Sequence, residues 1–260
     1  MVISFRMKYK TIMKLNIMKK NITSLKIIFF INFVVCTFTN AQSVKYADLS
    51  FSSGTTNAIS ALYVHNWKLG LGKNNRWEAG LGLRYSGAFA SDAEFITSGP
   101  AKYTRGNTTP FVIVFAEQLD KNWDTLTVQN PLINAINISA NLAVNITKKF
   151  GIGLNIDLVG FSFGPKKQAQ LESNKIISND AVKPTTFNVL LTGDHDIGSL
   201  NSEFFIKYNF NDHWGARGIY QFLFTEYETN NIEQTFYDGE TNKRFRNKGN
   251  NFGLAVFYKF

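Results

Sequence analysis

Cysteine is nearly absent from this sequence: one residue, Cys36, in 260. Acidic side chains are missing from the first 41 positions, where Arg6, Lys8, Lys10, Lys14, Lys19, Lys20 and Lys26 stand without a counter-charge. Residues 27–38 form a short apolar run broken by Asn32. Thr39-Asn40-Ala41 then places small residues at the −3 and −1 positions before Gln42. That is the layout of a cleaved secretory signal peptide, so the chain divides into a signal peptide, 1–41, and a mature part, 42–260. Met13 and Met18 are alternative starts. Val34-Val35 before Cys36 do not make a lipoprotein site, and removal of the leader leaves no cysteine for a disulfide or a thiol nucleophile.

After residue 41 no apolar run reaches 18 residues. A helical span needs about 20, so helical crossing of a membrane is excluded there. Net charge is also scarce. The whole chain has 28 basic and 19 acidic residues. Without the seven leader cations it is close to neutral, and the case for a nucleic-acid partner disappears. No glycine-rich loop precedes a helix, no repeat stands out, and no motif calls for a cofactor.

What is present is alternation with a period of two, the mark of strands with unlike faces. Residues 134–146 put Ile136, Ile138, Ala140, Leu142, Val144 and Ile146 on one side and Asn137, Ser139, Asn141, Ala143 and Asn145 on the other. After Thr147-Lys148-Lys149, the residues Phe150, Ile152, Leu154, Ile156 and Leu158 oppose Gly151, Gly153, Asn155 and Asp157. Segments 58–71 and 76–89 flank a polar turn at 72–75, and 200–210 and 214–229 flank another at 211–213. With 45–53 and 250–260 these make eight strands. Phe111–Ala116 is a continuous apolar run and Phe187–Leu191, interrupted by Asn188, is another; they extend a strand, fold over the mouth of the sheet, or bring the number to ten.

The connections sort by length. Turns 72–75, 147–149 and 211–213 fall on one side with both termini; 90–133, 165–199 and 230–249 fall on the other, where only 54–57 is short. All five prolines (Pro100, Pro110, Pro131, Pro165, Pro184) lie in the two longest connections, as a sheet without edges requires.

The last segment places Phe252, Leu254, Val256, Tyr258 and Phe260 on one face and Asn251, Gly253, Ala255 and Lys259 on the other, with Phe257 the one large residue among them. Throughout, one face is Ile, Leu, Val, Phe, Tyr and Trp, and the other is mostly Gly, Ala, Ser and Asn with a few charges. Trp77, Phe150, Phe210, Trp214 and Phe260 gather at the turn end, and Tyr85, Phe89, Phe222 and Phe224 near the other. Such a chain resembles the small bacterial outer-membrane β-barrels of the OmpA-like and OmpX-like group. The resemblance covers nearly all of 42–260 and is architectural; its one specific motif is the final strand. It implies an all-β fold: a closed antiparallel transmembrane β-barrel of eight strands, integral to the outer membrane of a Gram-negative cell. It implies aromatic girdles at the bilayer interfaces, contact with outer-membrane lipid and lipopolysaccharide, recognition by the barrel-assembly machinery through the last strand, and a monomer.

In that fold Lys68, Glu78, Arg84, Asp157, Glu203, Lys207, Arg217 and Lys259 point inward. Charges of both signs in a narrow interior must pair, so they are expected to form a plug rather than an ion path. Among the histidines, His213 lies in a turn and His65 on the Tyr63/Trp67 face. His195, in Asp194-His195-Asp196 with Ser199 nearby, is the catalytic candidate of least poor fit. Asp194 and Asp196 are a weak metal candidate, because the twelfth position of a calcium loop is Phe205 instead of Glu. The expectation is a non-enzymatic barrel with long surface loops and a structural or surface-interaction role. A narrow channel for small hydrophobic or ionic solutes and a surface lipid hydrolase are the alternatives.

Overall fold

The computed structural model describes residues 42–71, 76–109 and 112–260. The proposed signal peptide, the turn 72–75, and Pro110 and Phe111 lie outside the described residues. In chain order the strands are β1 (Ser43–Gly54), β2 (Asn57–Lys68), β3 (Trp77–Phe89), β4 (Asp92–Thr97), β5 (Thr125–Gln129), β6 (Leu132–Asn145), β7 (Phe150–Phe163) and β8 (Lys167–Ser173). They continue with β9 (Ile176–Pro184), β10 (Phe187–Val189), β11 (Leu200–Asn209), β12 (Trp214–Thr229), β13 (Gln234–Thr235), β14 (Thr241–Asn242) and β15 (Arg244–Lys259). Among the described residues one short α-helix, α1 (Ala101–Thr104), and three 3₁₀ turns interrupt them.

All but β13 and β14 belong to one sheet. Within it β1, β2, β3, β6, β7, β11, β12 and β15 pair antiparallel in that order, and β15 pairs back with β1. The sheet therefore closes on itself, and every strand in the ring has a partner on both sides. These are the eight segments the alternation marks. β1, the least patterned of them, pairs along Tyr46–Gly54 with the last strand.

A second closure was not visible in the sequence. Beyond the first ring, β15 pairs with β4, β4 with β5, β5 with β8, β8 with β9, and β9 with β12. Strands β12 and β15 are common to both rings, which is why each runs 16 residues. The last strand thus starts at Arg244, six residues earlier than the alternation alone suggests. Of the two apolar runs, Val112–Phe115 is a single 3₁₀ turn and Phe187–Val189 is a short strand on the end of β7. Neither enters the first ring.

Side-chain direction follows strand parity, with one break. Between β6 and β7 the register shifts at Ile138/Ser139: Asp157 faces Ser139, but Val159 faces Ile138, leaving Leu158 as an extra residue. This β-bulge reverses the parity of β7, so Phe161 and Phe163 share the exposed face with Ile152. Two glycines make room for large inward rings. An added Cβ would come within 2.5 Å of Phe205 at Gly153 and within 2.2 Å of Phe257 at Gly215.

Apolar packing is distributed along the inside. Tyr46, Leu62, Val64 and Phe257 form one cluster; Ala143, Phe205, Ile219 and Ala255 a second; Ala58, Ala88 and Leu223 a third. The interior is thus layered, less uniformly polar than the alternation suggested. The largest cluster lies in the second ring, where Phe95, Leu126, Val128, Leu171, Val182, Tyr227 and Phe245 pack with Ile133 of β6. Each such side chain contributes about 1.5–3 kcal/mol on burial. Because Ile133 belongs to both the first ring and this cluster, the cluster roofs the loop end of the first ring.

Candidate functional site

The interior of the first ring is organised around two arginines. Arg84 on β3 lies 3.4 Å from Asp157 and 3.1 Å from Glu203, and donates to the Asn201 carbonyl at 3.3 Å. Arg217 on β12 lies 2.7 Å from Asp48 and 3.7 Å from Glu203, with its guanidinium over the Phe205 ring at 4.8 Å. Glu203 therefore bridges the two. All five charges are buried. In an interior of low dielectric each would cost several kcal/mol alone, and the alternating signs across five strands offset part of that cost.

Amides fill the spaces between charges. Asn137 donates to Asp157 at 2.8 Å and Asn155 to Glu203 at 3.0 Å. Asn66, Asn141 and Asn155 form a ladder across the interior that also takes in Tyr46. Nearer the turn end, Lys207 lies 3.4 Å from Glu78, which also accepts from Asn145 at 2.6 Å. Lys259 donates to Asn209, and Lys68 stands opposite Glu78 in register.

Of the eight inward charges named from sequence, Arg84, Asp157, Glu203 and Arg217 meet in one network. Glu78 and Lys207 meet in a second, and Lys68 and Lys259 lie at the turn end beside it. Asp48 completes the first network and was not among the eight. Its position opposite Arg217 comes from closure of the first strand on the last, although its parity with Ser50 and Ser52 was a readable signal.

The outer face carries the opposite chemistry. Leu49, Leu81, Leu83, Ile152, Phe204, Ile206, Phe252 and Leu254 are all exposed, the last two above 70%. At the turn end the exposed aromatics touch in sequence. Phe150 packs on Tyr208 and Tyr208 on Phe210; Trp214 packs on Tyr258, Tyr258 on Phe260 and Phe260 on Tyr63. Trp77 is exposed at the same end on β3. Tyr63, Tyr208 and Tyr258 extend the set read from sequence.

A second buried polar cluster sits at the loop end. Glu226 accepts from Ser98 at 2.6 Å, Gly198 N at 3.1 Å, Arg246 at 2.8 Å and Arg244 at 3.3 Å. Beside it, Asp194 accepts from Arg105 at 2.8 Å and Thr104 at 2.9 Å, and Lys248 lies 3.3 Å away. Burial would raise the Asp194 carboxyl, but the Arg105 hydrogen bond, the Lys248 and Arg105 charges and the Thr104 hydroxyl outweigh it, bringing it down to about 2. Asp196 accepts from the Leu191 and Thr192 amides, both at 2.7 Å.

These contacts redirect the Asp194-His195-Asp196 candidates. Two cations already neutralise Asp194, and backbone amides occupy Asp196. No three metal-ligating side chains gather among the described residues. His195 is exposed against the Thr108 carbonyl at 3.4 Å, whereas Ser199 is buried and accepts from Glu226 N. The two do not form a nucleophile–base pair.

No protein-family model and no curated protein matches the chain. Solved structures similar to it include Neisserial surface protein A, at 9% identity over 84% of this chain and 96% of that one, TM-score 0.33. The attachment invasion locus protein Ail of Yersinia pestis is 10% identical over 84% and 95%, TM-score 0.32. A major outer membrane protein from Thermus thermophilus is 12% identical over 84% and 99%, TM-score 0.30. At TM-scores this low, nothing about binding or activity passes from them to this chain.

Proposed function

We propose that the chain is an integral protein of a bacterial outer membrane, exported with loss of residues 1–41. In this reading the ring of eight strands spans the bilayer as a monomeric barrel, and the second ring stands outside the cell. Its role is structural or surface-interactive and not enzymatic, and it works without an open pore. The observation that carries this reading is inverted polarity. Arg84, Asp157, Glu203 and Arg217 are buried inside the ring, while Phe252 and Leu254 stand exposed on its outside. In water that arrangement would be costly on both counts; in a bilayer it satisfies both.

The absence of a pore is supported by the packed interior. Cavities along it, beside Asp157 and beside Phe95, are each about 10 Å³, about one water's worth. The rim aromatics fit the lipid and lipopolysaccharide interfaces. Membrane fractionation followed by electrophoresis of boiled and unboiled samples tests the barrel. The protein is expected with the outer membrane, in a compact form that converts on heating. Planar-bilayer recordings are expected at baseline. Recovery in the soluble fraction, or steady unitary currents, would overturn the reading.

A further inference from the structure

Between the β8–β9 hairpin, the segment around Trp123 and the chain at 232–237 lies a cleft of about 450 Å³. Sites for small ligands run to about 300–1,000 Å³. We infer that this cleft binds a neutral saccharide. The inference rests on the reading that the second ring faces the medium, and it names the ligand class for that surface.

The aromatic wall is held in place before any ligand arrives. Tyr103, only 1% exposed, stacks on Phe236 with centroids 3.9 Å apart and meets Tyr237 edge-on at 5.5 Å. The Tyr103 hydroxyl donates to Asp238, which also receives Lys102. Yet Tyr237 itself is 88% exposed. A tyrosine ring has only two side-chain torsions to fix, so it loses little entropy on contact. Its face suits the C–H face of a sugar ring.

The polar wall is equally set. Gln234 donates to the Asn122 carbonyl at 3.2 Å and accepts from Asn242 at 3.3 Å, so its amide cannot swing. Asn174, Ser178 and Asp124 line the same space. Amides, hydroxyls and a carboxylate together match vicinal hydroxyls, which donate and accept at once. The lining carries Asp124 and Glu233 against Lys121, and Lys243 pairs with Glu233 at 2.8 Å, so the cleft has no net charge to draw a polyanion. An extended peptide finds no edge on β5 or β8, which are paired on both sides, whereas β9 meets β12 only through Val182–Pro184.

The test uses the full mature protein refolded in detergent. Calorimetric titration with maltohexaose, cellohexaose, mannohexaose and xylohexaose is run beside delipidated polysaccharide from lipopolysaccharide. The two arms separate a free glycan from the cell's own surface sugar. At least one should bind with Kd in the range of about 10 µM to 1 mM. Tyr237→Ala should weaken that binding at least about ten-fold. Ser178→Phe, which fills the cleft, should abolish it, and Phe115→Ala, exposed elsewhere, should leave it unchanged. Heat-shift electrophoresis of each variant checks folding. No binding by any arm at about 10 mM, binding unaffected by both cleft variants, or preference for polygalacturonate would overturn the proposal. A heat-shifting protein that ignores every sugar sinks the cleft alone; loss of the heat shift in the parent protein sinks the membrane reading instead.

Discussion

At the scale of single residues, the chain inverts the usual assignment of inside and outside. In the first ring Arg84, Glu203 and Arg217 are interior, while Leu49, Leu81 and Leu254 are exterior. The inward charges were legible because parity alone places them, as with Glu203 and Lys207 on the same face of β11. Their partners were less so: Asp48 meets Arg217 only because the first strand closes on the last. Arg217→Ala leaves Asp48 buried with no cation beside it. Loss of one partner of a buried pair costs about 3–5 kcal/mol, so unfolding in detergent should occur at markedly lower temperature. Bilayer conductance should stay at baseline, because apolar layers remain around the gap. Asp194 offers a pH test. Its carboxyl titrates at about 2 when folded, against about 3.9 when unfolded. A depressed value stabilises the fold above the unfolded pKa and ceases to do so as pH falls through the folded one. The loop end should therefore loosen between about pH 4 and pH 2, followed by Trp123 fluorescence, since Lys248 bridges Asp194 and the Trp123 ring. Asp194→Asn should lack that step.

At the scale of elements, each strand of the first ring is a local pattern with a local cause. Alternation, polar turns and the absence of proline from 134–163 and 200–229 were all readable before any pairing was known. What escaped was where a pattern breaks. Leu158 continues the apolar face of β7 by parity, yet it is the residue a bulge expels, and only the register with Ile138 and Ser139 reveals this. Glycine needs the same distinction. Gly215 faces inward against Phe257, whereas Gly218 faces out with nothing within 4 Å. Gly215→Ala should therefore lower the detergent-state melting temperature through overpacking worth about 1–3 kcal/mol. Gly218→Ala should be neutral or raise it slightly by restricting the unfolded chain. Equal effects at the two sites would contradict the inward and outward assignment.

At the scale of the molecule, two closed rings share β12 and β15, and each has its own packing. The first is layered with charges and held by closure; the second has a continuous apolar cluster. Leu126→Ala removes a fully buried side chain from that cluster, at a cost of about 2–5 kcal/mol. Loop cleavage by added protease should accelerate while the unboiled electrophoretic shift persists. Simultaneous loss of both would mean that the rings fold as one cooperative unit. The amino-acid sequence by itself determined the strand period, the polarity of each face, the class of connection at each end and the likeness to outer-membrane barrels, because side-chain alternation is a property of neighbouring residues. Only the tertiary structure decided that the connections 90–133, 165–199 and 230–249 fold together into a second ring with a roof and a cleft. Those pairings join segments far apart in the chain, such as Phe245 with Thr97, and no local pattern specifies which distant strand satisfies a free backbone edge.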